Sequence, residues 1–431
     1  MRSKIENLFF REINPITIAG FRIAFGFFAF IEILYFYKTY LIQDYILQPK
    51  ILFNYSFLPV TPFSENVLNV ILAVTLISTV FIMLGKYYKM AIITFFIGFT
   101  YFFLLDKSYY NNHLYLFSLI AFLLIFIPAD GTLSLKGKKK VKPILGWHLR
   151  ILQFQFIVVY FFGGVAKING DWLFYYEPIT TLLKNGNYYS EGLALFLAFS
   201  GLLFDLFIGF LLLIKKIRIY AFVFALAFNI INHIIFDDIN IFPFFMMASL
   251  ALFFELENFN FLSKFNKFKE KNAEMIKAPK PVVYLIGIYV IFQLAMPLRH
   301  YFIPGNVDWT GEGHRFAWRM KIQTRAINKC EFAIFDLDTK TIYPVKIDNH
   351  IHDIQKYFMV HYPKMILDFA HYLKKYAKKE RQMNNVMVKA KINVRFNQRE
   401  SVEILSPNID LTKEKWNSFG HNKWINTLKN N

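Results

Sequence analysis

Tyr160-Phe161-Phe162-Gly163-Gly164-Val165-Ala166-Lys167-Ile168-Asn169-Gly170-Asp171-Trp172 closes an apolar run and turns polar within a few positions. A segment that ends this way reads as a membrane-spanning helix arriving at its interface. Gly163 and Gly164 lie one turn below Lys167, and two glycines in a spanning helix let another backbone approach closely. Two readings of Lys167 stand side by side. One is a lysine that snorkels to the membrane surface. The other is an amine kept from water, whose charged form is disfavoured and which can act as a base near neutral pH.

The rest of the chain fits a membrane setting. Its 431 residues are 55% hydrophobic with a mean hydropathy of +0.34, too apolar for an ordinary soluble protein. A formal net charge of +19 would suggest nucleic acid in a soluble protein. Here Lys and Arg cluster in short loops between apolar runs, so topology explains the charge and no nucleic-acid partner is expected. The single cysteine, Cys330, excludes an intramolecular disulfide. Arg2, Lys4 and Arg11 precede a long first apolar run with no small-residue cleavage site, which reads as a retained span.

Apolar runs recur at 15–37, 66–85, 90–105, 114–129, 149–167, 192–214, 218–235, 240–255 and 281–298. They predict a polytopic α-helical membrane protein of about nine transmembrane helices, with the third, fourth and eighth runs short. With the N-terminus inside, inward loops hold Lys86 and Lys89; Lys136, Lys138, Lys139, Lys140 and Lys142; Lys215, Lys216 and Arg218; and Lys264, Lys267, Lys269, Lys271, Lys277 and Lys280. Outward loops hold Lys50, Lys107 and Lys184 beside Asp106, Asp171, Glu177, Asp237 and Asp238. The positive-inside bias therefore places the N-terminus in the cytoplasm, and an odd span number places the C-terminal segment outside it. The chain divides into a transmembrane helical domain, 1–298, and a small extracytoplasmic β-rich α+β domain, 299–431. In the latter, 331–345 alternates as a hairpin, 351–381 has helical spacing and 386–396 alternates as a strand.

An ionisable group inside a span costs about 2.5–3.5 kcal/mol on insertion scales and needs a reason. Polar residues gather at outer helix ends: 106–113, Gln153 and Gln155 below Lys167, and Asn229, Asn232 and His233. Each one alone is explained by an interhelical hydrogen bond; together they surround one outward-facing volume. His113, His233, His300 and His314 share no metal-ligand spacing, so no metal is expected. No phosphate loop, nucleophile elbow or nucleotide fingerprint is present.

Four blocks resemble the vitamin K-dependent γ-glutamyl carboxylases, and most closely the bacterial members with a horizontally transferred transmembrane (HTTM) domain. They are Leu104 to Leu116, Val159 to Trp172, Met296 to Tyr301 running on through Trp309 to Met320, and Ile392 to Arg399. They run in order over nearly the whole chain. The resemblance implies oxygenation of reduced vitamin K (a phylloquinol or menaquinol) to an epoxide by O2. The strongly basic oxygenated intermediate then takes a γ-proton from a glutamate in a peptide or protein, and CO2 adds to the carbanion. Lys167 occupies the position of the base that starts the quinol. His113 matches the residue that hydrogen-bonds the quinol oxygen, and Asn112 the one that orients the lysine. Tyr160 and Gln155 fall with His113 and Asn112 among cofactor-binding positions. His314, Arg315, Trp318, Arg319, Arg325, Arg395 and Arg399 fall among substrate-binding positions, where paired arginines suit a carboxylate. A dry chamber is required, since water would quench the base.

The chain departs from the family pattern in places. Ala166 stands where animal members carry a second lysine, and Gln153 where an arginine is usual. The long C-terminal portion of animal carboxylases and a propeptide exosite are not found. Two other functions are therefore carried: a quinol epoxidase or oxidase, or a carboxylase of a non-peptide acid; and, in another class, a membrane transporter or anchor. The expected location is a bacterial inner membrane with the site facing the periplasm.

Overall fold

The computed structural model describes residues 2–135, 143–236, 240–259, 280–418 and 420–428. Each of the nine apolar runs is helical. After α1 (Arg2–Phe10) and the short strand β1 (Glu12–Ile13) come α2 (Ile16–Lys38), α3 (Glu65–Leu84), α4 (Tyr88–Leu105) and α5 (Asn112–Phe126). Strand β2 (Ile144–Leu145) pairs with β1 and leads into α6 (Gly146–Ala166). Then follow α7 (Gly170–Tyr175), α8 (Ile179–Asn185), α9 (Glu191–Leu211), α10 (Arg218–Ile235), α11 (Phe242–Ser249) and α12 (Lys280–Leu298).

Seven of these helices are long and apolar enough to cross a membrane. The third run, short in the sequence, becomes the 18-residue α4. The fourth and eighth runs stay short, as the 15-residue α5 and as α11 extended by one 3-10 turn. At about 1.5 Å per residue, α5 spans only about 22 Å of a hydrocarbon layer of about 30 Å. It is largely buried from His113 to Leu124, so most of its length meets protein rather than lipid. Phenylalanine rings fill the space around it: Phe117 stacks on Phe245 at 4.5 Å, and Phe25 meets Phe95 edge-on at 5.5 Å. In contrast, α10 and α12 expose most of their apolar surface, as lipid-facing helices do.

After α12 the described residues build a β-sheet region, called the second domain below. After α13 (Val307–Thr310), strands β3 (Arg325–Asp336) and β4 (Thr341–Val345) make the hairpin. Strand β5 (Val386–Phe396) coincides with the predicted strand, and β6 (Ser401–Glu403) completes an antiparallel sheet of order β4-β3-β5-β6. The single helix expected over 351–381 is two helices, α14 (Asp353–His361) and α15 (Pro363–Glu380). The break falls at Tyr362, whose backbone is extended before Pro363. A residue before proline disfavours the helical region, while proline itself suits a first helical turn. One face of the sheet packs on α15, with Phe332 edge-on to Phe369 at 4.9 Å.

This domain docks on the helix ends that carry Lys167. Asp106 accepts from the Phe53 amide at 2.9 Å and from Gln355 at 2.7 Å. Lys107 reaches Asp368 at 2.8 Å, and Arg399 forks onto Asp171 at 2.6 and 2.7 Å. The opposite end holds α1 and the β1–β2 pair. Lys136 to Lys142 and Lys264 to Lys277 of the charge argument, with Asp237 and Asp238, lie outside the described residues.

Candidate active site

The site grows from the glycines of α6. A side-chain carbon on Gly164 would lie 2.7 Å from the Leu206 amide nitrogen, and one on Gly163 would lie 3.2 Å from Asp205 Oδ2. The helix that comes this close is α9. It carries Asp205 onto Lys167 Nζ, which also lies 3.3 Å from the Gly163 carbonyl oxygen and 5.1 Å from the centre of the Trp172 ring. Trp172 is fixed in turn, its indole N–H donating to the Ala198 carbonyl at 2.9 Å. Asn169 caps α7 by accepting from the Trp172 amide and donates to the Ala166 carbonyl, so the chain turns sharply just beyond the lysine. Both members of the Lys167–Asp205 pair have side chains 9% exposed.

Lys167 and Asp205 line a cavity of about 380 Å³, a size suited to a small organic ligand. One wall is the start of α5 with Asn112 and His113, and another is Tyr160 on α6. His113 Nε2 lies 3.3 Å from Oε1 of Glu32, a buried carboxylate on α2. Asn112 Oδ1 accepts from the Tyr110 hydroxyl at 3.0 Å; the partners of Lys167 are Asp205 and the Gly163 carbonyl. Asn229 donates to the Ala225 carbonyl at 2.8 Å and toward the Tyr160 hydroxyl at 3.4 Å. Phe196, Phe228, Phe242 and Met246 give the cavity an apolar lining. Asn232 also faces the cavity, while His233 does not line it and packs on Phe244 at 4.8 Å.

The roof comes from the second domain. His314, Arg319 and Met320 close it from one side, and Tyr357, His361 and Tyr362 from the other. The strap that carries the first group holds Gly313, Phe316, Trp318 and Lys321 at positive φ, a conformation costly for the non-glycine residues. Arg319 donates to Asp308 Oδ1 at 2.6 and 3.2 Å and to His300 Nε2 at 2.8 Å, while His300 Nδ1 donates to the Pro297 carbonyl. Burial, with the guanidiniums of Arg319, Arg325 and Arg315 nearby, pushes His314 well below its ordinary pKa, so its ring is neutral. Its Nδ1 is buried without a hydrogen-bond partner among the described residues. Burial likewise pushes His361 down to about 3.

The other residues singled out in the sequence lie away from the cavity lining. Gln155 accepts from the Tyr289 hydroxyl at 2.5 Å on a helix face turned to α12. Arg315 stacks over Tyr362 at 3.8 Å and donates to the Lys107 carbonyl. Trp318 stacks on Tyr115 at 4.9 Å inside the helical core. Arg325 donates to the carbonyls of Val360, Asp308 and Trp309. Arg395 is exposed on β5, and Arg399 is held by Asp171. Sequence reasoning passed over Asp205 and Glu32. A signal was there: Asp205 is an acidic residue in the middle of the run 192–214, and Glu32 sits inside the first run. Among the described residues no cluster of His, Cys, Asp and Glu forms a metal site.

The family model of the HTTM domain matches residues 10–257. That of the vitamin K-dependent gamma-carboxylase lumenal domain matches residues 278–431, and so takes in α12 as well as the sheet. No solved structure matches the chain.

Proposed function

We propose, on the premise that this chain belongs to the HTTM-containing vitamin K-dependent gamma-carboxylase family, that it couples epoxidation of a reduced naphthoquinone by O2 to carboxylation of a peptide glutamate by CO2. The observation that carries this reading is the placement of the Lys167 amine in an apolar cavity roofed by the second domain. The residues present fit a quinol. The apolar lining suits flat rings and an isoprenoid tail, and the amine and imidazole on the walls suit hydroxyl groups. When bound and oxygenated, the quinol supplies the strong base that no side chain can. The chain's own residues do the remainder. Lys167 takes the quinol hydroxyl proton on Nζ, within the range of about 10²–10⁴ that a placed general base contributes. His113, backed by Glu32, holds a quinol oxygen from the α5 wall. Asn112, Tyr160 and Gln155 act as further quinol-side residues, Gln155 by setting the face of α6. The roof excludes water, and its neutral His314 offers Nδ1 to whatever enters.

The substrate side is the glutamate of a peptide, met by His314 and Arg319 at the roof, with Arg315, Trp318, Arg325, Arg395 and Arg399 shaping the domain around it. A second reading, a quinol epoxidase or a carboxylase of a different acid, is favoured by one observation: Arg319, which does line the cavity, is already held by Asp308. The α9–α10 side of the cavity, with exposed Phe224 and Ile231 at its edge, is the lipid-side way in for the quinol. In this reading nine spans cross a bacterial inner membrane, with the N-terminus cytoplasmic and the roof periplasmic.

Membranes carrying the protein, given a reduced naphthoquinone, O2, labelled bicarbonate and a glutamate peptide, test the reading. Epoxide with fixed label in the peptide supports the carboxylase. Epoxide at full rate without any peptide supports the second reading. Absence of both, with saturable solute uptake into proteoliposomes, returns the protein to the transporter class.

A further inference from the structure

Lys167 meets the cavity with a carboxylate already on its amine. Nζ contacts Asp205 Oδ2, and each side chain is only 9% exposed. A protonated lysine is not a base, so its proton needs somewhere to go before it can accept another. A carboxylate in contact can take that proton, whereas the Gly163 carbonyl can only accept a hydrogen bond. In an apolar site two ions carry a desolvation cost, which passing the proton from amine to carboxylate relieves.

We infer that Asp205 is the positioning residue that aims Lys167 at the quinol and receives the lysine's proton as the lysine receives the quinol's. The inference rests on the proposed quinol reading. The proton count closes without water: Asp205 gains the proton that Nζ carried, and Nζ gains the hydroxyl proton of the substrate. One O–H bond breaks on the quinol, one forms on Asp205, and the negative charge moves from the carboxylate to the quinol oxygen beside the ammonium. No electrons change hands. The glycine pair is part of the device, since a side chain at Gly164 would meet the Leu206 backbone at 2.7 Å and hold Asp205 off. A proton kept inside the pair makes the rate insensitive to pH around neutrality.

The full-length protein in lipid nanodiscs tests this, as wild type, Asp205→Asn and Asp205→Glu. Epoxidation of a reduced naphthoquinone is followed between about pH 6 and pH 9. Over the same range, with no quinol present, reductive methylation of Lys167 is read by peptide mass spectrometry. The wild-type epoxidation rate should vary less than about threefold. Asp205→Asn should be at least about 30-fold slower at the acid end and should climb with pH, because its lysine must lose the proton to water. Its methylation midpoint should move by at least about one pH unit from the wild type and coincide with the midpoint of the new rate limb. Asp205→Glu should keep the level profile.

An Asp205→Asn enzyme that is slower by one factor at every pH, or as fast as wild type, overturns the inference. If that variant does not fold, Asp205→Glu decides: a level profile supports the inference and a sloping one overturns it. If the wild type makes no epoxide, the quinol reading falls by itself. The methylation midpoint then judges the pair, and an unmoved midpoint in Asp205→Asn removes it.

Discussion

Lys167 and Arg325 are both cations sealed from water, and they are sealed in different ways. Arg325 lies at the root of β3, with its guanidinium on three backbone carbonyls and 5.5 Å from the centres of both the Trp309 and Phe396 rings. Burial lowers its pKa only to about 10, so it stays charged. It ties α13 and the end of α14 to the sheet. Lys167 has a single carboxylate, a carbonyl and a ring face, and its remaining side opens on a cavity. A cation surrounded by its own chain works as a pin; a cation left one open side is available for chemistry. The same distinction separates Arg319, bound by Asp308 and His300, from the free guanidinium expected of a substrate clamp.

The sharpest way to break the contrast is Lys167→Ala. Epoxide formation should fall by about 10³-fold while the folded yield holds, because only a transition-state proton acceptor is removed. Equal loss of folded protein would make Lys167 a pin like Arg325. Arg325→Met should do the reverse. It leaves three buried carbonyls without donors and should cost the second domain about 3 kcal/mol in a denaturant melt; an unchanged melt would erase the distinction. Gly164→Val tests how the open-sided cation is made. The added side chain meets the Leu206 backbone, moves α9 and Asp205, and should lower activity by about 100-fold, as small misplacements do. Gly192→Ala on the same helix, with nothing within 4 Å, should change neither reading.

Lys107 sits between the two cases and sharpens the comparison by pH. It lies in the loop outside α4, paired with Asp368, and burial lowers its pKa to about 8 from 10.5. Its folded value lies below its unfolded value, so the unfolded chain holds more protons between those limits. Stability from this group is therefore gained as pH rises from about 8 to about 10.5, and the burial cost is fully present below about 8. Relative to Lys107→Met, the wild type should gain on the order of 3 kcal/mol across that window in an unfolding titration. The smallest effect is expected at Arg399→Ala. It frees Asp171 at the domain boundary and should cost about 1 kcal/mol, since the pair is partly exposed.

The helices were legible because their signal is local. Every apolar run is a helix, β5 falls where alternation put it, and the hairpin forms around the polar turn. The interruption at Tyr362 was also local, written in Pro363, and the periodicity on both sides masked it. Cavity lining was harder. Side chains as alike in sequence as Arg319 and Arg325 part company because one faces the opening and the other faces α13 and the Val360 carbonyl. No spacing along the chain encodes which way a strap with three non-glycine residues at positive φ will turn them.

By itself the sequence determined a many-helix membrane protein with a second, sheet-bearing domain, and it marked Lys167 beside two glycines as unusual. Those are properties of composition and short-range period, which each segment carries alone. Only the tertiary structure decided what the glycines admit: α9, with Asp205 set 38 positions from Lys167 and pressed onto its amine. The contact depends on how closely two helices can approach, and that distance is fixed by both surfaces together rather than by either sequence.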